Sequence, residues 1–364
     1  MENIYEVLEA ISSGTVVARY LVNTTRVQKA IEVYKECLFL LNEASGNEKE
    51  PFRSAYIAIW LGMIKGYYFI NDLTSAVECG RTLIALLRAC GDRHREGMLL
   101  GGLGNVYQSI GEYGRAEAYQ KKALLIIKEI GDRKTEAKCY LNLGAVYESR
   151  GEYEKSEECL KKALVTTKQT GDRKTEAKCY LNLGAVYRKL SKYGKSEEYL
   201  KRALLVSKEL GDRKGEASCY GHLGILYQSV GEYTKGEEHQ KKALVVKKEI
   251  CDRQGEASCY GNPGTVYQAI GQYGKAEEFQ KKALVIMKEI GDRKGEASCC
   301  RNLGTVYASL AEYGKCEEYQ KRALVIMKEI GFREGEASCY ETLGNCIVLS
   351  VNMTKPRNIK GKHL

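Results

Sequence analysis

Only three prolines and one tryptophan occur among 364 residues, and five phenylalanines stand against twenty-six tyrosines. So few prolines argue against a Pro-rich disordered linker and leave room for long helices. No run of eighteen apolar residues occurs, so no membrane-spanning helix is expected. Met1 to Ala10 contains three Glu and no Lys or Arg, which lacks the basic start of a signal peptide. Four histidines, His94, His222, His239 and His363, form no HExxH, and no GxxxxGKS/T phosphate loop is present. Gly102-Leu103-Gly104 begins like a glycine-rich loop, but it falls mid-helix with no strand before it. Carboxylates are many, yet they recur with a repeated unit and pair with lysines, whereas an active site needs a unique constellation. The chain therefore reads as no enzyme, with no cofactor, no metal and no small-molecule substrate.

Fourteen cysteines are present. Six of them, Cys139, Cys179, Cys219, Cys259, Cys299 and Cys339, lie forty residues apart. None forms a CxxC pair with a second CxxC or HxxxH partner, so the zinc reading fails. Each reads as a small buried residue at one place in a repeated unit. Without a signal peptide, a reducing, cytoplasmic compartment is the expectation. Against 47 Asp+Glu stand 57 Lys+Arg, a net charge of +10.

The strongest signal is internal copying. Gly131 to Tyr147 reads GDRKTEAKCYLNLGAVY, and Gly171 to Tyr187 repeats it letter for letter. The unit returns at Gly91, Gly131, Gly171, Gly211, Cys251, Gly291 and Gly331. A fixed period of forty means a solenoid, in which each unit buries its apolar face against its neighbours. Each unit holds two helical patterns. In the first, Ala137, Tyr140, Leu143, Gly144 and Tyr147 share one face; in the second, Tyr153, Ser156, Leu160, Ala163, Leu164 and Thr167 do. Gly151 separates the two, Gly131 ends the previous unit, and Asp132 can cap the next helix. Glu157→Lys161, Glu158→Lys162, Glu197→Lys201 and Glu277→Lys281 are Glu-first pairs four apart, read as a solvated outer face. Gly144 should face Ser156 and Ala163 of its own unit, where a side chain would force the helices apart.

Counting from Ala137, residues Tyr140, Leu143, Gly144, Tyr147, Ser156, Leu160 and Ala163 stand at positions 4, 7, 8, 11, 20, 24 and 27. That pattern resembles the tetratricopeptide repeat. Lys168 replaces the usual proline at position 32. The forty-residue unit with its Gly-Asp-Arg turn is similar to the Leu-Gly-Asn-repeat (Pins) adaptors and to type-28 tetratricopeptide proteins. Leu103-Gly104-Asn105 and Leu343-Gly344-Asn345 keep that triplet. The resemblance implies an all-α, right-handed superhelical α-solenoid of antiparallel helix pairs. Its function would be that of a protein-binding scaffold, and the Pins likeness implies work in cell polarity, spindle or signalling assemblies.

Along the chain we expect a diverged N-terminal helix pair over 1–50 and a degenerate repeat over 51–90. Six forty-residue repeats should fill 91–330, a final capping helix 331–350, and a basic disordered tail 351–364. A longer array cut short is an equally good reading of that end. Trp60, Met63, Tyr67, Ala76 and Cys79 keep the phase of the later units. Pro263 replaces the position-7 leucine and should kink its helix, while Cys251 replaces the inter-unit glycine where a left-handed residue is required. Residues 251–270 are therefore the expected soft joint.

In such a stack the first helices line the concave side. A helix turns 100° per residue, so positions 2, 5, 6, 9, 12 and 13 point away from the packed ones. Position 6 supplies Asn142, Asn182, His222, Asn262 and Asn302. An amide ladder can hold the backbone of an extended peptide without reading its side chains; alternatively, the asparagines bond the neighbouring unit. Lys138, Lys178, Arg188 and Lys189 form a basic cluster suited to an acidic protein or peptide partner. Two other classes remain open: a nucleic-acid binder through net positive charge, or a structural self-assembling array. Most lysines pair with a glutamate on the same helix, and no unpaired basic stripe with interleaved aromatics is present, which argues against nucleic acid.

Overall fold

The computed structural model describes residues 2–23, 26–45, 52–70 and 72–354. The last ten residues of the expected basic tail lie outside them. Among the described residues, all seventeen elements are α-helices. The chain divides into two compact units, Met1–Leu190 and Ser191–Leu364. The first holds α1 (Glu2–Asn23), α2 (Val27–Ser45), α3 (Arg53–Phe69), α4 (Leu73–Ala89), α5 (Arg93–Ile110), α6 (Tyr113–Ile130), α7 (Arg133–Ser149), α8 (Tyr153–Thr170) and α9 (Arg173–Lys189). The second holds α10 (Tyr193–Glu209), α11 (Arg213–Ser229), α12 (Tyr233–Glu249), α13 (Arg253–Ala269), α14 (Tyr273–Glu289), α15 (Arg293–Ser309), α16 (Tyr313–Glu329) and α17 (Arg333–Thr354). Helix α17 thus runs four residues into the segment expected as tail. Within each unit, consecutive helices pack as hairpins and hairpins stack in order, which makes the fold an all-α repeat solenoid.

Local chemistry sets the helix ends. The Asp132 carboxylate accepts from the Thr135 N–H at 3.0 Å, and Asp92, Asp172, Asp212, Asp252 and Asp292 cap α5, α9, α11, α13 and α15 in the same way. Such a cap contributes about 1 kcal/mol. Arg133 then reaches Glu136 at 2.6 Å and Gln169 Oε1 at 3.0 Å, tying the start of α7 to the end of α8. Glu136 is buried, and so are Glu96, Glu176, Glu216, Glu256 and Glu296 at the same place. The recurring Gly-Asp-Arg-x-x-Glu is therefore a cap joined to an ion-paired clasp. Gly131 and Gly151 take left-handed φ of 79° and 78°. Cys251 adopts the expected left-handed geometry with φ 56°, as do Ser191 at 57° and Ala311 at 61°. A side chain there costs roughly 1 kcal/mol relative to glycine.

Inside each hairpin, contact is close. A Cβ on Gly144 would lie 2.7 Å from Leu160 Cγ, and Ser156 Oγ donates to the Gly144 carbonyl at 2.7 Å. Leu160, rather than Ala163, is the side chain laid over the glycine. Between hairpins a recurring polar bond adds to the shared apolar contact. Tyr187 donates to Glu157 at 2.8 Å, and Tyr147→Glu117, Tyr227→Glu197, Tyr267→Glu237 and Tyr307→Glu277 repeat the bond at 2.6–2.9 Å. The expected pairs Glu157–Lys161 and Glu277–Lys281 both form at 2.6 Å. Yet their carboxylates are largely buried joints between repeats, not members of a solvated face. The second acid of the couple, such as Glu158 with Lys162, stands in solvent.

Helix α13 is not broken at Pro263, which is buried within it. A cavity of about 10 Å³ lies beside it, lined by Gln228, Tyr233, Pro263 and Val266 among others. Contact between α12 and α13 is thinner than between the equivalent helices of neighbouring repeats. Two expectations follow. Gly144→Ala should lose about 1–3 kcal/mol through overpacking, whereas Gly102→Ala, whose Cβ meets nothing within 4 Å, should gain about 0.5–1 kcal/mol; urea unfolding separates them. In hydrogen exchange, amides of α13 should lose protection before those of α11 and α15, and uniform protection across the three would contradict this.

Candidate functional site

The odd-numbered helices define an inner face in each unit. In the first, α5 touches α7 and α7 touches α9; in the second, α11, α13, α15 and α17 follow one another in the same way. The even-numbered helices make no contact of that extent with one another. Short cross-links bridge the odd helices: Gln108 donates to Ser149 Oγ at 3.0 Å, and Gln268 to Thr305 Oγ1 at 3.0 Å. These residues stand at positions 12, 13 and 9. The spacing placed them on the inner face but did not distinguish residues that brace it from residues free to bind.

The proposed groove residues fall into two sets. Lys138 and Asn142 lie on α7, and Lys178, Asn182, Arg188 and Lys189 on α9. His222, Asn262 and Asn302 lie on α11, α13 and α15 of the other unit. Lys138, Lys178, Lys189 and Asn262 are exposed; Asn142, Asn182, Arg188, His222 and Asn302 are half-buried. The Asn262 and Asn302 carbonyls accept from Thr265 and Thr305. Among the described residues, the side-chain amides of Asn142, Asn182, Asn262 and Asn302 make no hydrogen bond.

The basic cluster is partly compensated. Lys138 acts with Lys134 on the Asp172 cap, helping to hold that carboxyl below its ordinary range, although the hydrogen bonds from Thr135's counterpart Thr175 contribute more. Glu148 sits among the cations of α9. Burial pushes its pKa up, while Lys189 and Arg188 pull it down. The Nε of Arg188 is buried without a partner among the described residues. The sequence placed Glu148 at position 12, but nothing in the letters said that its charge would sit beside Arg188.

A second device was not foreseen. In α6, α12, α14 and α16, position 24 is glutamine rather than leucine. Gln120, Gln240, Gln280 and Gln320 are buried, and each donates Nε2 to the position-5 carbonyl of its own first helix, at 2.8–3.2 Å. Three of those position-5 residues are glycines, Gly101, Gly221 and Gly261. The covariation of Gly with Gln, against Leu141 with Leu160, was the available signal.

Each unit is therefore a stack of helical hairpins whose inner face presents amides and cations over a braced framework, the architecture of a protein-interaction scaffold. Residues 95–169, 175–244 and 216–289 match the tetratricopeptide repeat model, together just over half the chain, and the protein belongs to the tetratricopeptide repeat family. No curated protein matches it in sequence. Among solved structures, a Rap protein complexed with competence and sporulation factor aligns with TM-score 0.58 at 14% identity, covering 94% of this chain and 99% of that one. A signal transduction ATPase with numerous domains and a tetratricopeptide repeat sensor, from Pyrococcus horikoshii, aligns with TM-score 0.58 at 17% identity, over 88% of this chain and 50% of that one. A tetratricopeptide repeat protein from Parabacteroides merdae gives 0.54 at 17% identity, over 80% and 99%. At such identities the likeness is one of fold. Among the described residues, no group of three or more His, Cys, Asp or Glu could hold a metal, and no helix is long and apolar enough to cross a membrane.

The tyrosine–glutamate joints carry a pH signature. Burial and then the bond to Glu197 push Tyr227 up to about 12, and Tyr267 is raised for the same reasons. Because the folded value exceeds the unfolded one, near 10, this stability is complete below about pH 10 and is lost as pH rises towards 12. Urea midpoints should fall across that window, and Tyr227→Phe with Tyr267→Phe should flatten the fall.

Proposed function

We propose that the inner face holds extended or helical, acidic segments of partner proteins, making the protein a non-enzymatic scaffold or adaptor. The observation that carries this reading is that each unit holds two asparagine amides at one repeat position, Asn142 and Asn182 in the first and Asn262 and Asn302 in the second, with no hydrogen-bond partner among the described residues. An amide offers both a donor and an acceptor, which is what a peptide backbone requires. Charge supports the sign of the partner: Lys178 and Lys189 are exposed beside the half-buried Arg188. A nucleic acid fits less well. Lysines of the second helices, such as Lys162, Lys242 and Lys282, each hold a glutamate one turn away at 2.6–2.7 Å, which weakens their pull on a phosphate backbone. The repeated cysteines suit a reducing, cytoplasmic setting. Burial pushes Cys139 up to about 11 and Cys179 and Cys219 up to about 12, away from the reactive thiolate.

The reading is tested with fluorescent peptides of alternating Asp and Ser, and of alternating Lys and Ser, titrated into the full chain. The acidic peptide should bind in preference, and Lys178→Glu with Arg188→Glu should weaken it at least about tenfold. Equal affinity of wild type and variant would end the proposal.

A further inference from the structure

The inner face changes character at its N-terminal end. Position 6 carries Asn142 and Asn182 on α7 and α9, but Gly102 on α5 and Gly62 on α3. Position 2 carries Lys138 and Lys178, but Met98 on α5. A Cβ built on Gly102 meets nothing within 4 Å. What the missing side chain leaves is a hollow of about 510 Å³ between α3, α4 and α5. Its floor is made by the buried Ile57, Leu83 and Leu87, and its lips by Leu61 and Met98, which are 47% and 54% exposed. A second hollow of about 380 Å³ shares Ile57, Leu61 and Arg95 and adds Arg19 and Lys65. No carboxylate lines either hollow. Arg95 reaches its own cap, Asp92, at 3.2 Å, and His94 reaches Asp132 at 3.0 Å.

We propose that this hollow is a binding site for an acidic peptide segment of a partner protein, which inserts one bulky apolar side chain between Leu61 and Met98 and sets carboxylates against Arg19 and Arg95. The proposal rests on the inner-face reading given above and names the anchor that such a peptide would use. A concave apolar floor with cations at the rim selects an apolar residue flanked by acids, and a few hundred cubic ångströms suits one or two side chains. Exposed Leu and Met at the mouth of a hollow mark an interaction site more often than a bare surface. A purely polar ligand would leave the floor uncovered. The chain's own last ten residues are excluded by sign, since they contain Lys355, Arg357, Lys360 and Lys362 and no acid. From the hollow the bound segment can continue along the same face, because α5 touches α7, towards Asn142.

The experiment is a display library of random ten-residue peptides panned on the full chain. Enriched sequences should carry Asp or Glu around one Leu, Ile, Met or Phe. Gly102→Leu fills the hollow without meeting any neighbour at its Cβ and replaces a poor helix former by a good one. It should weaken the enriched peptides at least about tenfold while thermal stability stays equal or rises. Arg19→Glu with Arg95→Glu should weaken the same peptides and reduce their salt dependence. Enrichment of acidic peptides without an apolar anchor, unaffected by Gly102→Leu but lost in Lys178→Glu with Arg188→Glu, would overturn this site and leave the groove intact. No enrichment at all would overturn both.

Discussion

Five of the hairpins from α5 onward share one constraint: a side chain from the second helix lies flat on a glycine of the first. The close approach recurs at Gly104, Gly144, Gly224, Gly264 and Gly304, where an added Cβ would stand 2.5–2.8 Å from the residue at position 24. Because the helices meet there without a Cβ, the remaining apolar residues of both fall into one shared stripe. That stripe has no second layer of its own and is completed by the next hairpin. Stacking, the inner face and the spacing of its side chains all follow from this single close contact.

Given that contact, polar chemistry sorts itself by face. Towards the even helices, glutamates that could have been simple solvent pairs accept from a tyrosine of the following repeat. They register one hairpin against the next, as a hydrogen bond to a charged, partly desolvated group can. At the hairpin tips, the arginine clasp and aspartate cap use up the strongest charges of the repeat. What is left uncommitted lies on the odd helices: amides in the later repeats, and an apolar hollow where the early repeats carry glycine. Within the first unit, positions 2 and 6 change from Met98 and Gly102 on α5 to Lys138 and Asn142 on α7, and the two proposed kinds of contact, anchor-directed and backbone-directed, rest on that change.

Much of this was legible in the letters, because copying turns one helical pattern into many concordant ones. The period, the caps, the left-handed position at Cys251 and the buried cysteines all follow from local rules applied at fixed spacing. The triplets at positions 28–30 show the same phase rule at work. Leu164-Val165-Thr166 is apolar enough to read as core, yet Val165 is 56% exposed while Thr166 is buried. Leu125, Leu205, Val245, Val285 and Val325 stand out in the same manner. Helical phase, not hydrophobicity, decides which of three adjacent residues faces inward.

The sequence by itself determined the architecture: a forty-residue unit of two amphipathic helices with strong caps can bury its apolar stripe only by stacking on copies of itself. Tertiary structure alone decided which polar residues were free. Glu157 read as a solvated-face acid and Glu148 as one more position-12 residue until the neighbouring helix brought Tyr187 and Arg188 to them. Among the described residues, the side-chain amides of Asn142 and Asn182 on the same inner helices met no hydrogen-bond partner. The reason is that hydrogen-bond partners between repeats lie about thirty to forty residues apart in the chain, a separation at which helical spacing says which face a residue is on but not which atom will be opposite.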